Sequence, residues 1–145
     1  MGAKIVVDTS VLVKWFKTRD EELLDEARDL LAEIEARLVQ VHVPALLLYE
    51  VGNLLLVKTR LGAAALDEAI ERLEDLPLVV APPATPLLKR AFRLARELSL
   101  TFYDASFLAL AFELRCPCVT ADRQFFERAR RLPEVRHLSH VGSIT

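Results

Sequence analysis

The sequence lacks any apolar run of the length, about 18 residues, that a membrane-spanning helix requires. No leader of the kind that directs secretion precedes the first predicted strand. These two absences predict a cytoplasmic protein with no membrane partner. Cysteine is also scarce, and the two present, Cys116 and Cys118, are separated by a single residue. That spacing suits neither an unstrained disulfide nor a zinc site, so we interpret both as small buried side chains.

Positive charge is not in excess, since the formal net charge is −2 at pH 7. Nucleic-acid-binding proteins tend to be basic, so composition alone does not favour that class. The 145 residues are 52% hydrophobic and 28% charged. These values fit one globular domain spanning residues 1–145 and exclude a disordered chain.

Strand-like and helix-like apolar patterns alternate along the chain. The predicted strands are KIVV (4–7), VQVHV (39–43), LVVA (78–81), CVTA (118–121) and VRHLS (135–139). The predicted helices cover 11–16, 20–38, 45–60, 63–76, 87–98, 101–114 and 122–132. We place Pro44 at the start of the third helix and Gly62 just past its end. No hairpin turn of the Asn-Gly kind joins two strands, which favours an α/β domain with a parallel sheet covered on both faces.

Two aspartates leave predicted strands at their carboxyl ends: Asp8 follows IVV, and Asp122 follows CVTA. In an open parallel sheet, ligands bind beyond these ends, so both aspartates could belong to a binding site. Each could instead be a turn or N-cap residue, although Thr9 and Ser10 are also able to cap the helix after Asp8. Thr120 could orient Asp122 through a hydroxyl hydrogen bond.

Glu50 is the most informative acid. On its predicted helix, one or two turns away, lie Leu46, Leu47, Leu54 and Val57. A lone ionised carboxylate buried in such a stripe costs several kcal/mol and protonates unless a cation pairs with it. No lysine or arginine lies one turn away, and the helix has almost no polar face to expose. We therefore interpret Glu50, with Asn53 beside it, as a functional group that takes a cation from solvent.

Asp104 has a strong structural explanation. The segment TFYD fits a capping box, in which Thr101 caps a helix and Asp104 stands three residues later, ahead of the apolar run ASFLALAFEL. Taken alone, this pattern favours a cap. The two roles are compatible, because the first turn of a helix after a loop can also project a ligand.

The argument for a site is cumulative. Capping can account for Asp8, Asp104 and Asp122, but not for Glu50. Clustered carboxylates repel one another and need a cation, and all-oxygen ligation without His or Cys selects Mg²⁺ or Mn²⁺. A hard divalent ion held by acids suits phosphoryl-transfer hydrolysis, because it activates water and neutralises charge on the scissile phosphate.

The segments around these four acids resemble the PIN-domain family, in particular its VapC-like ribonuclease toxins of toxin–antitoxin pairs. In family order, the resembling segments are IVVDTSVLVKWF, PALLLYEVGN, LSLTFYDASFLALA and VTADRQF. The resemblance covers essentially the whole chain, and the four segments together are specific where each alone is weak. It implies a three-layer α/β/α sandwich with a five-stranded parallel sheet.

The resemblance also implies an activity: endoribonuclease cleavage of RNA phosphodiester bonds with Mg²⁺ or Mn²⁺, in a toxin controlled by an antitoxin protein. The family's catalytic and metal-site acids fall on Asp8, Glu50, Asp104 and Asp122. We expect Asp8, Asp104 and Asp122 to hold the ion, directly or through water. Glu50 either ligates the ion or acts as base toward the attacking water.

Further polar positions of the family fall on Thr9, Asn53 and Thr120, which we expect to support the site. Many members carry another acid shortly after the fourth one, where this chain has Arg123 and Gln124. We therefore expect a single well-held ion.

Residues that bind substrate are not identified by the sequence. Lys14, Lys17 or Arg123 could steer RNA phosphates, although each could be an ordinary solvated charge.

The helix containing residues 46–56 is apolar on more sides than one core contact uses. It is either a fully buried central helix, a homodimer interface or a groove for an antitoxin peptide. The family resemblance favours dimerisation and an antitoxin partner.

Two other functions fit parts of the sequence. A catalytically inactive module of the same fold could use its acids only as caps and regulate a protein or RNA partner. A phosphatase with an aspartyl nucleophile at Asp8 would need a second acid two residues on, where Ser10 stands.

Overall fold

The computed structural model describes residues 2–16 and 21–141. The strands of its sheet are β1 (Ala3–Val7), β2 (Val39–Pro44), β3 (Leu78–Ala81), β4 (Cys118–Thr120) and β5 (Val135–His137). The α-helices in these residues are α1 (Thr9–Leu12), α2 (Leu24–Glu35), α3 (Leu46–Lys58), α4 (Ala63–Asp75), α5 (Thr85–Leu98), α6 (Phe102–Leu114) and α7 (Arg123–Ala129). Short 3-10 helices follow α1, at Val13–Trp15, and β5, at Leu138–His140.

The sheet has the order β3-β2-β1-β4-β5, and every paired strand runs parallel to its neighbour. From β1 the chain winds outward through β2 to β3, then returns to place β4 on the other side of β1. The carboxyl ends of β1 and β4 are therefore adjacent, and the backbone N–H of Asp8 donates to the carbonyl of Val119 at 3.1 Å. In open α/β sheets, the crevice outside the strand ends at such a reversal is where ligands bind.

Helices cover both faces of the sheet. Ile5, Val6 and Val7 of β1 are all completely buried. Because successive side chains of a strand point to opposite faces, this burial requires packing on each side. Helix α6 contacts β1, β2 and β4, and α2 contacts β2. The predicted three-layer α/β/α fold with a five-stranded parallel sheet is confirmed.

Helix α6 is the central helix of the domain. Its residues 105–111 are buried without interruption, which matches the unbroken apolar run in the sequence. Thr101 caps the helix as predicted, since the backbone N–H of Asp104 donates to Thr101 Oγ1 at 3.0 Å. The central core thus fixes the direction in which the first turn of α6 projects.

Helix α3 is not the central helix, so that alternative is wrong. It buries a single stripe of Leu47, Val51 and Leu55, spaced four residues apart. Tyr49 and Leu56 on its other sides are 79% and 66% exposed. The apolar surplus of α3 therefore forms part of the surface.

Two smaller expectations about α3 are also wrong. Pro44 is the last residue of β2 rather than the first of the helix, and the next residue, Ala45, donates its N–H to the carbonyl of Ala81 at 3.0 Å. Gly62 does not end α3, which stops at Lys58, but is the N-cap of α4.

The cysteines are as predicted: Cys116 and Cys118 are free and buried. No helix in the described ranges combines the length and apolar character needed to cross a membrane.

Candidate active site

The four predicted acids meet in one crevice at the carboxyl end of the sheet. A cavity of about 550 Å³ there is lined by Asp8, Glu50, Asp104 and Asp122, together with the supporting residues Thr9 and Asn53. Asp8 leaves β1, Asp122 follows β4, Asp104 lies in the first turn of α6, and Glu50 lies on α3. Four segments distant in sequence thus converge at the sheet reversal.

Asp8 is the most deeply buried of these carboxylates, with 3% of its surface exposed. It is the N-cap of α1, accepting the backbone N–H of Ser10 at 3.1 Å, so of the capping alternatives Asp8 is the one found, and Thr9 and Ser10 do not cap this helix. Sequence could not decide among three consecutive residues that all have capping side chains. Burial raises the pKa of Asp8 to about 7, with smaller raising contributions from Asp104 and Asp122 and lowering ones from its hydroxyl partners.

Two hydroxyl groups hold the Asp8 carboxylate against β4. Thr120, itself completely buried, donates to Oδ2 at 2.8 Å and accepts the backbone N–H of Asp122 at 3.0 Å. Ser10 donates its hydroxyl to Oδ1 and accepts the backbone N–H of Ala121 at 2.9 Å. Thr120 therefore orients Asp8 directly, and Asp122 only through its backbone.

Ser10 is a site residue that sequence reasoning missed as such. The sequence suggests only a helix cap or an argument against a phosphatase at this position, yet Ser10 lines the cavity and connects the ends of β1 and β4. The available signal was its position two residues after Asp8, where its hydroxyl can reach back to that carboxylate.

Glu50 lies at the edge of the buried stripe of α3, one position before Val51, and is half-buried. Its Oε1 accepts the hydroxyl of Thr9 at 2.8 Å. Burial raises the pKa of Glu50, and the hydrogen bond from Thr9 opposes that rise. Glu50 faces the crevice, as predicted. The apolar stripe from which this was predicted is wrong, however, because its member Val57 is 63% exposed.

Asp104 faces the same crevice from α6. Burial raises its pKa to about 6, and the like charges of Asp122 and Glu50 add to that rise, while Arg128 opposes it. Asp122 is exposed and caps α7, accepting the backbone N–H of Phe125 at 3.1 Å. The capping explanations for Asp8 and Asp122 therefore hold alongside their convergence with Asp104, which is capped by Thr101 through its backbone N–H.

The candidate substrate-steering residues differ in whether they line the cavity. Lys14 lines the cavity and is buried, with its Nζ 2.7 Å from Glu21 Oε2. Arg123 is exposed at the start of α7 and does not line the cavity. Lys17 lies outside the described residues.

The donor set of the crevice is all oxygen, and none of the three histidines lines it. Among residues 2–16 and 21–141, no lysine or arginine lies within ion-pair distance of the four site carboxylates. Within the same ranges, no three His, Cys, Asp or Glu side chains stand in a ready-made metal-binding arrangement. The chemistry of the donors fits a hard divalent cation, which offsets the cost of burying these charges and the smaller repulsion between them, the two causes that raise the pKa of Asp8 and Asp104. Binding needs side-chain rotation of the more exposed carboxylates.

Fold and site define a class: an open parallel α/β domain with an acidic crevice at its sheet reversal. The model of the PIN domain matches residues 5–132, and the chain belongs to this family, as its motifs predict.

Two proteins of similar sequence are nucleases named VapC, and a protein of similar structure belongs to a toxin–antitoxin complex. Ribonuclease VapC3 of Pyrobaculum aerophilum is 32% identical over 129 residues, which cover 86% of this chain and 94% of that protein. Exonuclease VapC9 of the same organism is 34% identical over 149 residues, covering 95% of each. In a toxin–antitoxin complex from Klebsiella pneumoniae, one chain shares the fold with a TM-score of 0.69 at 19% identity, over 92% of this chain and 97% of that one.

Proposed function

We propose that this protein is a metal-dependent endoribonuclease that acts as the toxin of a toxin–antitoxin pair. The observation that carries the proposal is the convergence of Asp8, Glu50, Asp104 and Asp122 in one crevice at the sheet reversal. Membership of the PIN domain family and similarity to proteins named VapC support it. The resemblance of the motifs supports a cytoplasmic location and RNA as substrate.

Asp8, Asp104 and Asp122 are the residues assigned to hold Mg²⁺ or Mn²⁺. Thr120 and Ser10 fix both oxygens of Asp8, so this carboxylate is positioned before any ligand arrives. When bound, a hard divalent ion there lowers the pKa of a coordinated water and neutralises charge on the scissile phosphate.

Glu50 is the residue assigned to take a proton from the attacking water or to complete the ligand set. The Thr9 hydroxyl orients its carboxylate, and burial raises its pKa. A carboxylate with a raised pKa accepts a proton more readily, which suits the role of base.

Linear and circular RNAs, each in structured and unstructured form, test the proposal when incubated with and without Mn²⁺. We expect the wild type to cut both forms only with the metal, and Asp104→Asn to lose cutting by at least about 100-fold while still unfolding in one cooperative thermal transition. Glu113→Gln, an exposed acid on the same helix, is the matched control and should cut like the wild type.

The circular form separates two activities, since an exonuclease needs an end. Cutting of linear RNA alone would overturn the assignment as an endonuclease and favour the activity in the name of VapC9. Unchanged cutting by Asp104→Asn would overturn the assignment of the site.

A catalytically inactive binding module is the second candidate. It is favoured by the capping roles of Asp8 and Asp122 and by the side-chain rotation that metal binding requires. A melting temperature that does not respond to Mg²⁺ or Mn²⁺ would support this function over the nuclease.

The exposed apolar residues of α3 are the surface we assign to a protein partner. Tyr49, Leu56 and Val57 are each more than 60% exposed. A second copy of the chain, giving a homodimer, is the occupant we propose, and the antitoxin is the second partner of the protein. Single exposed apolar residues are ordinary, but contiguous ones mark interaction surfaces.

A further inference from the structure

The wall of the acidic cavity contains a buried ion pair that the roles assigned above do not use. Lys14, in the 3-10 helix after α1, has a side chain only 7% exposed, and its partner Glu21 is 17% exposed. The Nζ–Oε2 distance is 2.7 Å. Both residues line the same cavity as the four site acids.

Fold stability alone does not explain this pair. Taking two charges out of water costs about as much as their attraction returns, and apolar residues of similar size often stabilise a protein more. The pair therefore invites a functional explanation. An ammonium has three donors, and the contact with Glu21 uses one of them.

The position of Lys14 is tied to that of Asp8. Asp8 caps α1, and the 3-10 helix that carries Lys14 follows α1 directly, so a short stretch of continuous helical backbone connects the two residues. Lys58 is the other lysine lining the cavity, but it is exposed at the end of α3. A fixed cation positions an anion, whereas a mobile one contributes mainly to attraction at a distance.

We infer that Lys14 contacts a phosphate of the RNA backbone next to the metal-binding acids, with Glu21 holding the ammonium in place before substrate arrives. This inference rests on the proposed function and assigns one substrate-binding residue to it. The other charged residues of the cavity lining are five carboxylates and Lys58, and carboxylates repel RNA, so a fixed cation in this cavity gives a phosphate a specific place to bind.

Binding is measured in the Asp104→Asn background, where bound RNA stays intact. The probes are a labelled unstructured oligoribonucleotide and a labelled stem–loop RNA, titrated over a range of salt concentrations. Lys14→Met should weaken binding about ten-fold. It should also make the negative slope of log K against log [salt] shallower by about 0.7, the value for one lost phosphate contact on a single strand. Lys58→Met, the matched control from the same cavity, should change both quantities less.

Lys14→Met removes the ammonium that lies 2.7 Å from the partly buried Glu21 carboxylate, so misfolding could imitate a loss of binding. The variant Lys14→Met/Glu21→Gln removes both charges and decides the question, with its melting temperature measured alongside. Loss of binding and of salt slope in this folded variant supports the inference.

Wild-type affinity and slope in the double variant would overturn the role of Lys14 while leaving the nuclease proposal intact. A wild-type protein that neither binds nor cuts any of these RNAs would overturn the proposed function itself.

Discussion

Asp8 combines two properties, a capping role and a raised pKa. It is a helix cap that accepts backbone and hydroxyl donors, and it is a carboxylate 3% exposed whose pKa is raised to about 7. Hydrogen bonds to a carboxylate ordinarily lower its pKa, so burial and like-charged neighbours outweigh them here. The Asp8 carboxylate is thus oriented to bind a cation, and its buried charge lowers the stability of the metal-free folded protein.

This cost predicts a pH dependence. The folded protein binds protons at Asp8 and Asp104 more tightly than the unfolded chain, whose aspartates have a pKa of 3.8. Between that value and about 6 to 7, the free energy of unfolding therefore falls as pH rises. Burial lowers the pKa of His42 and His137, and these groups oppose the trend.

The melting temperature in EDTA, measured from about pH 4 to pH 8, should accordingly fall more in the wild type than in Asp104→Asn. The variant lacks one raised carboxyl group and relieves Asp8 of one like charge. Addition of Mn²⁺ should reduce the wild-type fall. A pH profile identical in the two proteins would contradict the repulsion that we assign to the crevice.

Helix α3 shows how far an apolar pattern identifies a packed face. The sequence predicts the helix and places Glu50 near its core side, but apolar residues surround the helix, so the buried stripe could not be read from spacing. Only the packing of Leu47, Val51 and Leu55 against the domain selects it. In α6, by contrast, residues 105–111 are all buried, so the apolar run in the sequence predicts the burial of this stretch without a choice between faces.

Two neighbouring leucines of α3 test which side of this helix is buried. Leu55 is 1% exposed and Leu56 is 66% exposed. Leu55→Ala should lower the free energy of unfolding by about 2–5 kcal/mol, as removal of a buried leucine does. Leu56→Ala should change it by at most about 0.5 kcal/mol in the monomer. Urea denaturation measures both, and equal effects would mean that α3 is rotated and that Glu50 does not face the crevice.

At the scale of the whole molecule, topology assembles the site. The order β3-β2-β1-β4-β5 brings the ends of β1 and β4 together, so Asp8 and Asp122 meet although they are far apart in sequence. Sequence reasoning located the strands and four of the five acids that line the crevice, because strand exits, the helix cap and the apolar stripe leave local patterns. The roles of these acids stay predictions. It did not recover the pairing of Lys14 with Glu21, seven residues apart. It could not recover the hydroxyl bridge from Ser10 to Ala121, because that bridge depends on the packing of β4 beside β1.

The exposed side of α3 carries a prediction about assembly. Leu56→Glu places a charge in the proposed self-contact, so light scattering should show a monomer where the wild type is a dimer. Leu38→Glu, at a residue 51% exposed elsewhere on the surface, is the control and should leave the dimer intact. A wild-type protein that is monomeric at all concentrations, or a dimer that persists in Leu56→Glu, would contradict the assignment of this surface.

The central claim is that carboxylates from four segments form one binding site for a hard dication. Calorimetric titration of the metal-free protein with Mn²⁺ tests this claim without RNA. We predict binding by the wild type and by Glu113→Gln, and binding at least about ten-fold weaker by Asp104→Asn. Equal affinity in all three proteins, or no binding by the wild type, would contradict the claim.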